Sequence, residues 1–133
     1  MPKSFQSRQD ALPSIFRELK ALLQPYCPPL VERGVTTAKL QYHLWSIKDI
    51  EIAGRNRKAV YFAGIIIQKG YVGFYYMPAY TNAELKKFFP PELLRLLKGK
   101  SCFHIKELSL KLLRQIRQAL RLGFRQYNTR CWI

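Results

Sequence analysis

Residues 59–76 read AVYFAGIIIQKGYVGFYY, and this stretch decides the fold. From Ala59 to Gln68 both alternating sets are apolar: Tyr61, Ala63, Ile65 and Ile67 on one side, Val60, Phe62 and Ile66 on the other. A short run that is apolar on both sides reads as a central strand. Lys69-Gly70 gives a tight turn, because glycine accepts a positive φ without steric cost. Tyr71 to Tyr76 then returns as its antiparallel partner, so the core of the chain is a hairpin.

Upstream, residues 39–46 alternate, with Leu40, Tyr42 and Leu44 facing one way and Gln41, His43 and Trp45 the other. Residues 48–53 alternate again, and the polar stretch Gly54 to Lys58 turns the chain back. Residues 10–25 place Ile15, Phe16, Leu19, Leu22 and Leu23 at helical spacing, and Pro28-Pro29 ends that helix. Downstream, Thr81 and Glu84 have the spacing of a capping box for a helix to Phe89. Pro91 opens another through Leu97, and Gly99 stops it. Ser101 to Ile105 reads as a strand. Ser109 caps a final helix to about Tyr127, with an apolar stripe of Leu110, Leu113, Ile116, Leu120, Phe124 and Tyr127. The expected architecture is α+β: an antiparallel sheet of about five strands with N- and C-terminal helices packed on it. At 133 residues without a linker or repeat, residues 1–133 read as a single domain.

Composition narrows the function classes. With 48% hydrophobic residues the chain is too apolar for disorder. Lys and Arg number 23 against 8 acids, a formal charge of +15, which favours an acidic macromolecule (nucleic acid or acidic protein) as partner. Cys27, Cys102 and Cys131 are scattered and odd in number, so no disulfide framework is expected. The first nine residues are polar, without the apolar core of a signal peptide, and the longest apolar run is too short for a membrane span. A cytoplasmic location follows as the expectation.

The final helix carries the clearest functional signal. Lys111, Arg114, Arg117, Arg121 and Arg125 recur at three- and four-residue steps and form one basic row, expected roughly 100° round the helix from the apolar stripe. From Lys86 to Arg130 the only acids are Glu92 and Glu107. A row of like charges is self-repelling, which suggests an anion-binding face. A second candidate is the aromatic sheet surface. Either helices cover both faces of the sheet, or one face stays partly open as a ligand site, with Trp45, Tyr61, Phe74, Tyr76, Lys100 and His104 as pocket candidates.

Other patterns are weaker. Lys69 to Tyr76 resembles an RNA-recognition strand, but Gly73 stands where a stacking aromatic belongs. Gly99-Lys100-Ser101 matches the tail of a phosphate-binding loop without its leading glycine, and it enters a strand rather than a helix. Cys102 and His104 share a strand face and, with His43, make three metal-capable groups without the usual ligand spacing. Asp49 and Glu51 read as surface carboxylates on an edge strand. No catalytic set and no cofactor fingerprint is apparent.

Lys58 with Tyr61-Phe62-Ala63, then Gly73-Phe74-Tyr75, then Lys100-Ser101-Cys102-Phe103-His104-Ile105 and a terminal helix resembles the YdhG-like family of domains of unknown function. That family includes a bacterial frataxin-like iron chaperone. The resemblance runs from about residue 10 to 127 and implies an α+β fold with an antiparallel sheet and terminal helices. Members often carry Tyr-Gly-Met-Pro on an early strand, where this chain has Tyr42-His43-Leu44-Trp45-Ser46. The expectation for function is a non-catalytic binding module with an anionic partner. The alternatives are frataxin-like iron or metal delivery, and a small-ligand-binding domain or enzyme using the aromatic face.

Overall fold

The computed structural model describes residues 5–36 and 40–133, with no side-chain placement for residues 5–9 and 35–36. The first residue of the strand expected at 39–46 therefore lies outside the described residues, as do residues 1–4. Helix α1 spans Phe5–Leu23 and continues as a 3₁₀ turn, Gln24–Tyr26. The strands are β1 (Val31–Thr36), β2 (Gln41–Ser46), β3 (Ile50–Ile52), β4 (Arg55–Arg57), β5 (Val60–Ile67), β6 (Val72–Tyr76), β7 (Leu97–Lys98) and β8 (Cys102–Ile105). Helices α2 (Met77–Thr81) and α3 (Pro91–Arg95) flank a 3₁₀ segment, Ala83–Phe88, and α4 covers Leu110–Thr129.

The fold is α+β. A six-stranded antiparallel sheet runs in the order β1-β2-β5-β6-β8-β7, with the N- and C-terminal helices packed on it. The central hairpin forms as its sequence dictates, with Ile65 opposite Phe74 and Ala63 opposite Tyr76. Three expectations are corrected. Strand β3 does not join the sheet; it pairs with β4 in a separate ribbon, and β2 lies directly against β5. The polar stretch expected only to turn the chain thus supplies β4, and the turn itself is Ala53-Gly54, both at positive φ. The T-x-x-E box is not used. Thr81 closes α2, and the Asn82 side chain instead accepts from the Glu84 N–H to cap the 3₁₀ segment. Finally, β1 and β7 extend the sheet at its edges, where short polar stretches such as Val31-Glu32-Arg33-Gly34 carry little strand signal.

All the main helical contacts fall on one face of the sheet. Leu12, Ile15, Phe16, Leu19 and Leu23 of α1 join Tyr42, Leu44, Phe62, Ile65, Phe74 and Phe103 in one buried cluster. Helix α4 adds Leu112, Ile116, Ala119, Leu120 and Tyr127. The Tyr76 hydroxyl donates to the Ala119 carbonyl, and the Tyr127 hydroxyl donates to the Tyr61 carbonyl at 2.6 Å, which ties α4 to β6 and β5. Ser109 caps α4 by accepting from the Leu112 N–H at 3.0 Å. At its other end Cys131 takes a positive φ. The Trp132 N–H reaches the Tyr127 carbonyl and the Cys131 N–H reaches Asn128, the bonding pattern of a Schellman stop. No helix among the described residues is long and apolar enough to cross a membrane.

Candidate functional site

The interior stripe of α4 differs from the one expected. Leu110 is 75% exposed, while Leu112, Ala119 and Gly123 turn inward with Ile116, Leu120 and Tyr127. At about 100° per residue, this shifts the stripe so that the basic row lies roughly 170° from it, not roughly 100°. Lys111, Arg114, Arg117, Arg121 and Arg125 are all exposed, on the side of α4 facing away from the sheet. Lys111 is held by Glu92 at 2.7 Å. Among the described residues, no carboxylate lies within ion-pair distance of the four arginines. The row is therefore a straight file of free guanidinium groups about 4.5–6 Å apart along the axis.

Among the described residues, the other face of the sheet carries no helix, and its residues are half-buried: Gln41, His43 and Trp45 on β2, Tyr75 on β6, Cys102 and His104 on β8. Tyr61 joins them because of a bulge. Leu44 faces Ala63 and Trp45 faces Tyr61, so Phe62 is an extra residue on β5. Phe62 and Ala63 both point to the core, and Tyr61 is re-aimed to the outer face. Strict alternation had placed Tyr61 with Ala63.

These side chains shape a shallow depression of about 430 Å³ lined by Arg33, His43, Trp45, Tyr61, Tyr75 and Ser101, with Tyr76 and Met77 at one end. The Tyr61 hydroxyl lies 2.8 Å from His43 Nδ1, and His43 Nε2 lies 3.0 Å from Gln41 Oε1. With Gln41 accepting, Nε2 carries the proton and Nδ1 accepts from Tyr61. This pair sits over Gly64, where any Cβ would collide with both the Tyr61 hydroxyl and His43 Nδ1. The Trp45 ring meets Tyr61 edge-on at 5.0 Å. A second chain runs from Gln68 to the Tyr75 hydroxyl at 3.2 Å.

Burial sets the protonation states here. It lowers the pKa of His43 and raises that of Tyr61 far above the usual phenol range. It also raises Tyr75, opposed by the Gln68 hydrogen bond, and Cys102, opposed by Tyr75. Apart from the Arg33 guanidinium, the depression therefore presents neutral groups at neutral pH, and its phenols, with the Cys102 thiol on the same face, are held protonated.

Of the residues expected in a pocket, Trp45 and Tyr61 line the depression and Tyr76 closes one end from a buried position. Phe74 does not belong there: it faces the core against Phe103, because it pairs with the inward Ile65. Lys100 is exposed beside the Tyr80 ring, and His104 stacks on Tyr71 at 3.9 Å near the far end of the same face. Arg33 and Ser101 were missed; Arg33 lies on a strand whose sequence gives no periodic signal. His43 cannot share a metal with Cys102 and His104, since β5 and β6 intervene and put it on the order of 14 Å away. Among the described residues, no group of three or more His, Cys, Asp or Glu side chains is placed to hold a metal ion. Comparison with protein families, curated proteins and solved structures finds no match for this chain.

Proposed function

We propose that the protein is a non-catalytic binding module whose α4 row holds an anionic macromolecule, the phosphate backbone of a nucleic acid in the first instance. The observation that carries this is the file of Arg114, Arg117, Arg121 and Arg125, exposed and without acidic partners among the described residues. Guanidinium forks match phosphate oxygens in geometry, and such contacts position a polyanion without reading its sequence. From Lys111 to Arg125 the exposed positions of α4 carry charge and one amide, Gln118, and the exposed Leu110 lies at the end of the row rather than at its centre. A protein partner would ordinarily require a central apolar anchor. The candidate nucleophiles and bases of the open face are locked in hydrogen bonds or held protonated by burial, which suits binding rather than proton transfer.

Membership of the YdhG-like family remains part of this proposal, on the residues that carry the resemblance. Iron delivery draws no support from the donor geometry. The aromatic face cannot lend contact area to the row, because the helical layer separates them.

The test is a titration of the whole chain with a DNA oligonucleotide over a range of salt, beside the Arg114→Gln/Arg117→Gln/Arg121→Gln variant. Loss of three phosphate contacts should weaken binding and flatten the plot of log affinity against log salt by about three. The fold should persist, since all three side chains are exposed. Equal affinity and slope in both proteins would overturn the proposal. Polyglutamate bound in preference to the oligonucleotide would transfer the row to an acidic protein.

A further inference from the structure

We infer that the open face of the sheet is a second, independent binding site, for a small flat anion: one or two fused aromatic rings bearing a carboxylate. Three features of the depression converge on that chemistry.

The first is shape. A volume of about 430 Å³ falls within the range of small-molecule pockets, and its aromatic lining suits a ring system. The rings are fixed before any ligand arrives. Tyr61 is pinned by His43 below and by Trp45 at its edge, and Tyr75 by Gln68. Rings already ordered lose little freedom on binding.

The second is charge. Among the described residues, Arg33 is the only lining side chain with a formal charge, since His43 is neutral with both ring nitrogens engaged. Among the described residues Arg33 has no carboxylate within ion-pair distance. Its neighbour Glu32 alternates to the opposite face, where it accepts from the Tyr42 hydroxyl at 2.8 Å.

The third is the sign of the hydrogen-bonding groups left over. The acceptors His43 Nδ1 and Gln41 Oε1 are already used within the face. The Trp45 indole N–H and the Ser101 hydroxyl make no side-chain hydrogen bond to any described residue, and both line the depression. With the Arg33 guanidinium, the unengaged polar groups that remain can all donate. A site that offers donors and a cation selects an acceptor-rich, negatively charged group.

The natural probe is 2-naphthoate, titrated by calorimetry into the whole chain at about 0.15 M salt, where surface charges act only at short range. Trp45 fluorescence is a second readout. Saturable one-to-one binding in the sub-millimolar range is expected. Both Arg33→Gln and replacement of the probe by neutral 2-naphthol should weaken it roughly tenfold, the scale of one charge-assisted contact. Trp45→Phe should weaken binding and remove the fluorescence change. The α4 triple variant should bind naphthoate as the parent does, which separates this site from the basic row. Arg33 is exposed and Trp45→Phe is a conservative change, so both variants should fold. Absence of saturation at millimolar naphthoate, equal affinity for naphthol, or loss in the α4 variant in place of Arg33→Gln would each overturn the inference.

Discussion

At the scale of single residues, the open face turns on Tyr61, His43 and Gly64. The bulge at Phe62 delivers the phenol, Gly64 leaves the space, and Gln41 sets the imidazole tautomer. Protonating His43 would put a hydrogen on Nδ1 and face it toward the Tyr61 O–H. Burial lowers the His43 pKa below its ordinary 6.5. In the window between the two values the unfolded chain binds more protons, so stability is lost as pH falls through it. Above 6.5 the residue adds no slope. His104 has the same sign, lowered by burial with Lys98 and Lys106 adding. Urea midpoints at about pH 7.5 and about pH 5.5 should therefore differ more in the parent than in His43→Gln, with the lower midpoint in acid. An unaltered pH response in that variant would mean that His43 titrates alike folded and unfolded.

At the scale of elements, α4 performs two tasks with opposite sides. Its inward side fits β6 and α2 closely at Gly123, where a Cβ would strike the Tyr76 hydroxyl and lie 2.7 Å from Pro78 Cγ. Glycine to alanine inside a helix ordinarily gains about 1 kcal/mol. Overpacking costs about 1–3 kcal/mol, and displacing the Tyr76 to Ala119 hydrogen bond about 1 more. Gly123→Ala should thus destabilise by about 1–3 kcal/mol in urea unfolding, against its helix propensity. The same helix shows what the sequence disclosed. Ser109 as cap and the spacing of the arginines were legible, because both depend on local geometry. The inward stripe is rotated by about 70° from the one the apolar spacing predicts, with Ile116, Leu120 and Tyr127 common to both. Leu110 looked like its first member, while small Ala119 and Gly123 gave no apolar signal despite lying at the closest contacts. Strand β1 and the bulge were illegible for a different reason: pairing across the sheet sets them, and no periodicity within Val31–Thr36 or Val60–Ile67 records it. That is why Trp45 and Tyr61 could be nominated for a pocket while Phe74 was misplaced and Arg33 overlooked.

For the whole molecule, the decisive fact is that, among the described residues, helices occupy one side of the sheet only. The basic row looks outward from the helical layer and the aromatic depression outward from the sheet. A helix about 10–12 Å across plus the sheet separates them by on the order of 20 Å. That distance exceeds the Debye length of about 8 Å at physiological ionic strength, and falls within the about 30 Å reached in dilute buffer. Phosphates seated on α4 therefore do not touch a small anion at Arg33, and the coupling expected between the two passes through the field of a chain carrying +15. Saturation with oligonucleotide should leave naphthoate affinity unchanged at about 0.15 M salt and reduce it at about 0.01 M, as the bound phosphates neutralise the long-range attraction. Calorimetric titration of naphthoate with and without oligonucleotide, at both salt levels, reads the coupling. Displacement at the higher salt would show that the two ligands meet, and that the nucleic acid reaches the sheet face rather than α4.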